Sequence, residues 1–437
     1  MNNRRLLIGL LTAASMSGGL HLHARTPVTL EELFSIAESN SAQLRPAFTA
    51  QKEADSQEGV ALNGRLPEIN ASLSASYNGD GFTTDRHLKD YQRAPIPHFG
   101  NGLTLSVEQP VYTGGAVTAG IELARLQSSS AQYATELQRD NLRFRLAGDY
   151  LDLYKCMNLR KVIDGNIAAA REVLGEMQAR YEQGTALRND ITRYELLLST
   201  FELQRIKLDN SIEILNRNIV VTAGMSDTVS IMPDSLMLSR ALPVETEGRW
   251  LESAKSNSPQ LRLARSGVEI SRKAENLVRA ERRPHIGIRA GWSFDGPILT
   301  EVPPINRNLS YWYVGVGVSY NLSSLFKTRR GLEKSKAATL LAADRLDATL
   351  EQVELNVRAD HTRYLEAYEE LNSCTKQVEL ADRNYNTTAT RYSEGMALVT
   401  DLLDAANARL DAQQKLVNAH IDIIYYYYKL LFTTGTI

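Results

Sequence analysis

The sequence predicts a mainly α-helical chain that is written twice, each copy carrying two β-strands. Three observations predict this. Motifs recur at fixed spacing along the 437 residues, long segments place apolar residues at helical spacing, and four short segments alternate apolar with polar or tiny residues. The recurrence is read first, because a repeat decides how every later segment is assigned. "NSAQLRPA" at Asn40 returns as "NSPQLRLA" at Asn257, and "GRLPEINASLSASYN" at Gly64 returns as "ERRPHIGIRAGWSFD" at Glu281. Further on, "RYEQGTALRND" at Arg180 returns as "RYSEGMALVTD" at Arg391, and "TAG" at Thr222 as "TTG" at Thr433, at a shorter offset. The change of offset falls between the counterparts of Asn78 and Leu103, so the lost residues come out of a loop and leave the elements of both copies intact.

The elements follow in order. Residues 1–24 have the layout of a secretory signal peptide: Arg4 and Arg5, the apolar run 6–20, and a small residue at Ala24. That run is shorter than the roughly 20 apolar residues a membrane-spanning helix needs, and no later segment comes closer. The first repeat, 25–224, opens with helical spacing over 30–65, then strands 66–77 and 101–112, a long helix 117–183 and a helix 187–222. Residues 225–247 are expected to link the copies in an equatorial region. The second repeat, 248–437, runs through a helix over 248–282, strands 285–294 and 311–322, a long helix 327–393 and a helix 398–432. At about 1.5 Å per residue each long helix is on the order of 100 Å, and its flanking helices on the order of 50 Å. Two shorter helices end to end therefore match one long one. Helices this long are held by packing along coiled-coil seams and not by propensity, so a long antiparallel α-helical barrel is expected.

The strands have two unlike faces. In "PEINASLSASY", Ile69, Ala71, Leu73, Ala75 and Tyr77 alternate with Asn70, Ser72, Ser74 and Ser76. Leu103, Leu105 and Val107 alternate with Thr104, Ser106 and Glu108. Ile286, Ile288, Ala290, Trp292 and Phe294 alternate with Gly287, Arg289, Gly291 and Ser293, and the fourth strand sets Trp312, Val314, Val316, Val318 and Tyr320 against Gly315, Gly317, Ser319 and Asn321. A sheet half buried on a water-soluble core alternates in the same way. Strand lengths of about ten residues, aromatic residues near strand ends and the export signal favour a transmembrane β-barrel. Four strands cannot close one, since natural barrels start at about eight and an open edge cannot face lipid. The barrel must be shared between protomers, and a trimer supplies twelve strands around a polar lumen.

Composition excludes several classes. Lys plus Arg at 49 against Asp plus Glu at 51 leaves a formal charge of -2, so no global basic field argues for nucleic acid. Cys156 and Cys374 are the only cysteines; they read as buried small residues and not as a disulfide framework, and no cysteine near the signal region offers a lipid attachment point. The histidines show no metal-ligand spacing on a helix. "GVGVSY" at Gly315 lacks the third glycine of a dinucleotide fingerprint and lies in a strand. "YYYY" at Tyr425 reads as helix packing. No catalytic motif, cofactor or metal is expected, and the chain reads as a non-enzyme.

With these residues the chain resembles the TolC family of bacterial outer-membrane efflux proteins, over essentially the whole mature length. The likeness rests on the duplicated element order, on "SVEQPVYTGG" (106–115) entering the first long helix, and on "RYSEGMALVTDLLDA" (391–405), which resembles the family's periplasmic tip turn. It implies a homotrimer whose β-barrel, twelve-stranded and in contact with outer-membrane lipid, continues into an α-helical tunnel across the periplasm. It also implies docking to a periplasmic adaptor (a membrane fusion protein) and an inner-membrane transporter. Such a duct would pass small molecules such as drugs; an alternative is the duct of an ATP-driven (type I) peptide or protein secretion system. A third reading, from another class, is a soluble periplasmic coiled-coil scaffold. One departure is Asn321, at the position where Pro110 stands in the first copy.

The tip carries the candidate site. Gly184 and Gly395 end the long helices where the chain reverses, and the turn residues Ala186, Leu187, Ala397 and Leu398 are expected to dock the adaptor. Asp190 and Asp401 fall in the first turn of the following helices, where a carboxylate favours the helix dipole whatever else it does. Asp401 and Asp404, three apart, share a helix face, and three copies about an axis would stack carboxylate rings. The resemblance implies that these two line a pore constriction, and that Tyr392 and Asp190 form a tip latch. A second latch of the family uses an arginine where this chain has Ala397, which implies a weaker closed state.

Overall fold

The computed structural model describes residues 25–234, 242–301 and 303–437. The expected signal peptide, 1–24, lies outside them. In chain order the elements are β1 (Arg25–Val28), α1 (Leu30–Asn40), α2 (Arg45–Asn63), β2 (Glu68–Tyr77), β3 (Gly81–Thr83), β4 (Gln92–Ala94), β5 (Phe99–Thr113), α3 (Ala116–Glu182), α4 (Arg188–Ala223) and β6 (Ser230–Pro233). They continue with α5 (Glu247–Asn257), α6 (Pro259–Ala280), β7 (His285–Gly296), β8 (Leu309–Ser319), α7 (Ser324–Ser393) and α8 (Val399–Thr434). No helix among the described residues is long and apolar enough to cross a membrane.

The described residues divide into two compact units, one of 25–40 and 149–234, the other of 41–148, 242–301 and 303–437. In the first, Leu30, Leu33, Leu153, Ile163, Met177, Tyr194 and Phe201 are fully buried. There β1 pairs in parallel with β6. The expected linker is thus partly a strand, and the rest of it includes residues outside the described ones. Tyr150 joins this pairing: its hydroxyl donates to the Val28 carbonyl at 2.7 Å and accepts from the Asp234 N–H at 2.8 Å.

In the second unit, Trp250, Leu261, Val353, Val357, Tyr364 and Leu430 form a core. Tyr427 packs beside Trp250 and Tyr364, with ring centroids 6.4 and 6.1 Å apart, which gives the tyrosine run its packing role. His361 stands where Tyr150 stands in the first copy, and its Nε2 meets the Glu245 carbonyl at 3.1 Å. Glu245 is the repeat counterpart of Val28, so both copies pin the chain just before their first helix from the same position on the long helix.

The single helices expected over 30–65 and 248–282 are each two. The breaks fall at matching serines, Ser41 and Ser258, both buried. Close backbone crossings account for them. A Cβ placed on Gly224 would lie 2.6 Å from the Asn40 carbonyl oxygen, and one on Gly435 would lie 2.8 Å from that of Asn257. Each glycine has positive φ, 69° and 74°, and ends its helix with paired bonds: Gly224 N–H to Val221 O and Met225 N–H to Val220 O, then Gly435 N–H to Phe432 O and Thr436 N–H to Leu431 O. This is the Schellman closure, which satisfies the last carbonyls while the left-handed residue turns the chain.

The second unit also holds an antiparallel sheet in the order β2-β5-β7-β8, so the two strands of the first copy lie beside the two of the second, in chain order and with no crossover, and the copies meet where β5 pairs with β7. Its edges are β2 and β8. The loop between β2 and β5 contains the small hairpin β3–β4, closed by an Arg93–Asp80 ion pair and by Phe82 and Tyr91 rings 5.7 Å apart.

Candidate functional site

The two tip turns have the same backbone. Gly184 and Gly395 have φ of 72° and 77°. Thr185 N–H reaches the Arg180 carbonyl and Gly184 N–H that of Tyr181, while Met396 reaches Arg391 and Gly395 reaches Tyr392. These are again Schellman closures, and they explain why "RYEQG" and "RYSEG" stop helices of 67 and 70 residues. Three residues after each glycine, Leu187 and Leu398 return to extended backbone, with ψ of 141° and 156°, and start α4 and α8. Gly184, Leu187, Gly395 and Leu398 are exposed, and Ala186 and Ala397 are half-exposed.

Asp190 and Asp401 occupy the third position of their helices, each N–H bonded to the leucine carbonyl three before it. Asp401 also accepts the Leu398 N–H on Oδ2 at 3.1 Å, so its carboxylate satisfies an otherwise unpaired first-turn donor. The structure brings Asp401 and Asp404 onto one exposed face of α8, while Leu402, Ala405 and Ala406 are buried on the other. Arg409 fastens α8 to α7 one turn on, 2.7 Å from Asp382 and 4.8 Å above the Tyr385 ring. The carboxylate pair is therefore on a helix whose opposite side is held. Tyr392, in the last turn of α7, is half-buried, and Asp190 belongs to the other unit. One difference between the tips escapes sequence reading: Arg188 lies over the Tyr181 ring at 6.0 Å, whereas its counterpart in the second copy is the buried Val399.

The sheet fixes which residues share a face. Ala71 stands opposite Leu105, Leu105 opposite Trp292, and Trp292 opposite Trp312; one pair along, Ile69, Val107, Ala290 and Val314 line up. The apolar members of all four strands thus form one continuous face, as the alternation requires. In the single chain it is bare: Leu73 is 82% exposed and Val316 73%. Aromatic rings cluster toward the loop end (Tyr77, Phe99, Trp292, Phe294, Trp312), with Tyr112 and Tyr320 at the helical end. Between Ile286 and Phe294 the strand advances eight residues, about 26 Å at 3.3 Å each, close to the roughly 25 Å apolar band of a membrane barrel. The Trp292 indole N–H is satisfied inside the sheet by Ser310 Oγ at 3.1 Å.

At the helical end the two copies differ. β5 bends by a register shift between Pro110 and Tyr112 and turns through Gly114 and Gly115, whereas after β8 Asn321 makes the turn, its side-chain oxygen accepting from the Ser323 N–H at 3.2 Å and hydroxyl at 2.7 Å. An Asx turn does locally what proline and a bulge do in the first copy. Sequence reading also missed that Arg289 on β7 clasps Glu108 on β5, Nε and Nη2 to Oε1 at 3.1 and 3.0 Å. The alternation puts both on the polar face, but only the register sets them side by side.

A continuous bare apolar face on a sheet with two open edges, joined to helices that run for tens of residues, defines the class of outer-membrane channel proteins. The chain belongs to the outer membrane efflux protein family, whose description matches residues 33–224 and 250–426, one block in each copy. It is similar to the outer membrane protein TolC of Vibrio cholerae, 20% identical over 414 residues that cover 93% of this chain and 91% of that one. It is equally similar to the proteases secretion protein PrtF of Dickeya chrysanthemi, 21% identical over 99% of this chain and 93% of its relative. Among solved structures, that of the outer-membrane channel OprN superimposes with a TM-score of 0.79 at 20% identity, covering 93% of this chain and 90% of that one. The protein is thus a TolC-family channel of the bacterial outer membrane extending into the periplasm, and the soluble-scaffold reading is set aside.

Proposed function

We propose that three copies join β2 of one chain to β8 of the next, closing a twelve-stranded barrel, and that the assembly is the exit duct of a tripartite efflux system. The observation that carries this is the sheet itself: four strands with an exposed apolar face and two edges, which lipid does not tolerate open. Small molecules pass from an inner-membrane pump and a periplasmic adaptor through the duct, and the partners supply the energy. Asp401 and Asp404 ring the periplasmic constriction, Tyr392 latches to Asp190, and the turns at Ala186–Leu187 and Ala397–Leu398 dock the adaptor. A second reading, a duct for ATP-driven protein secretion, is favoured by the likeness to the proteases secretion protein of Dickeya chrysanthemi.

A photo-reactive residue at Ala186 or Ala397, cross-linked in cells, separates the two. An adaptor of a proton-driven pump supports the efflux duct, and an adaptor of an ATP-driven exporter supports the secretion duct. Capture of neither removes the docking assignment. For the constriction, Asp401→Asn/Asp404→Asn channels in a bilayer are expected to show a weaker cation preference than the wild type, and unchanged selectivity would remove the two aspartates from the pore.

A further inference from the structure

The polar face of the sheet is uncharged over most of its height, where Ser72, Ser74, Thr104, Ser106, Gly291, Ser293 and their neighbours lie. Apart from Asp295 at the loop end, its Asp, Glu, Lys and Arg residues gather in one row at the helical end. Glu68 stands opposite Glu108, Glu108 opposite Arg289, and Arg289 opposite Gly315. Within this row the charges are not equivalent. Arg289 gives both of its bonds to Glu108, so these two cancel, while Glu68 takes its bond from the neutral amide of Asn70 at 3.2 Å. Solvent reaches the row: Glu108 and Arg289 side chains are each more than half exposed, and Glu68 and Glu108 border an open groove of about 620 Å³ with Asn63, Leu66 and Pro110. The Gly315 side of Arg289 is also clear, since a Cβ there would meet nothing within 4 Å.

We infer that Glu68, Glu108 and Arg289 form a second charge-selective ring at the neck of the duct, distinct from the aspartates of the tip, with Glu68 its effective charge and Arg289 its moderator. The inference rests on the trimeric duct reading above, which makes the polar face the lumen. Each protomer then contributes two carboxylates and one guanidinium, a formal -1, and the ring carries -3. Its ligand class is the permeant cation, or the cationic end of an amphiphilic solute. A twelve-stranded lumen is wide, so the ring acts at a distance. The Debye length is about 10 Å at 0.1 M salt, about 30 Å at 0.01 M and about 3 Å at 1 M, and the ring's influence is large only when ions are dilute.

The test is the reversal potential of full-length channels in planar bilayers under a salt gradient centred near 0.01 M. The parent carries Asp401→Asn/Asp404→Asn, so that the tip does not dominate. Glu68→Gln takes the ring from -3 to neutral and is expected to lower cation preference. Arg289→Gln takes it to -6 and is expected to raise it, while Arg289→Lys, which keeps the charge, stays at the parent value. All differences are expected to vanish at 1 M. If Glu68→Gln and Arg289→Gln conduct with the parent's selectivity at low salt, the row is not a selectivity element and the inference falls while the duct stands. If the parent itself forms no conducting channel, the duct reading falls and takes the inference with it.

Discussion

Val316 and Gly317 are neighbours on β8, yet the register assigns them to opposite faces. Val316 lies with Ile288 on the bare apolar face, and Gly317 with Gly287 on the polar one. Val316 falls between Trp312 and Tyr320, near the middle of the apolar band, and is 73% exposed in the single chain. An arginine there must sit in hydrocarbon, which costs about 2–4 kcal/mol at the midplane of a membrane barrel. At 1.4 kcal/mol per factor of ten, this shifts folded against unfolded by roughly 30- to 1,000-fold per protomer, and in the proposed trimer three copies would raise the cost to about 6–12 kcal/mol. An arginine at Gly317 would lie on the polar face, where a Cβ meets nothing within 4 Å, and should cost at most about 1 kcal/mol. The assay is the yield of the heat-modifiable assembled species in outer-membrane fractions, with its urea midpoint. Val316→Arg is expected to abolish assembly and Gly317→Arg to leave it near the wild type. Equal losses, or a greater loss at Gly317, would refute the assignment of faces and with it the lipid-facing band.

The crossing glycines should be far less tolerant than the tip glycine. Gly435→Ala brings a Cβ within 2.6 Å of the Pro259 Cδ at φ 74°, whereas Gly184→Ala has φ 72° and open space; thermal melts should show the first well beyond the roughly 1 kcal/mol strain of the second. Burial holds the Asp140 carboxyl up at about 6, against the pull of Arg143. The native state therefore binds the proton more tightly than the unfolded chain, and this site's contribution falls as pH rises from about 4 to 6, by about 3 kcal/mol in all. Asp140→Asn should be more stable than the wild type at pH 7.5 and should lose that advantage by pH 4, as read from paired melting curves. Lys429 Nζ lies 3.1 Å from the buried Asp360, which also accepts from Thr433 at 2.9 Å. Removing the lysine alone, as Lys429→Met, should cost about 3–5 kcal/mol, and Asp360→Asn/Lys429→Met less, in a double-mutant cycle.

The elements legible in the sequence are those whose pattern records a single face. Helices of 67 and 70 residues repeat their apolar positions many times, and the four long strands repeat theirs every second residue, so each carries its own evidence. The tip was legible for another reason, since a left-handed stop calls for glycine and a first turn favours aspartate. What stayed hidden depends on residues far away in the chain. The helical spacing runs on through Ser41 and Ser258; the breaks there come from the backbone of Gly224 and Gly435 pressing on Asn40 and Asn257. β1 and β6 are four residues each, contain prolines and find each other only in the fold. The pins at Tyr150 and His361 were hidden by their chemistry, because a phenol and an imidazole at equivalent positions look unrelated until both are seen bonding the carbonyl before their repeat's first helix. Duplication has kept the contact and let the residue change. The same logic accounts for the neck. The two copies agree on which strand positions lie on the polar face, but they place a carboxylate at Glu108 and a guanidinium at Arg289, and it is the pairing of unlike copies across β5 and β7 that leaves Glu68 as the unbalanced charge.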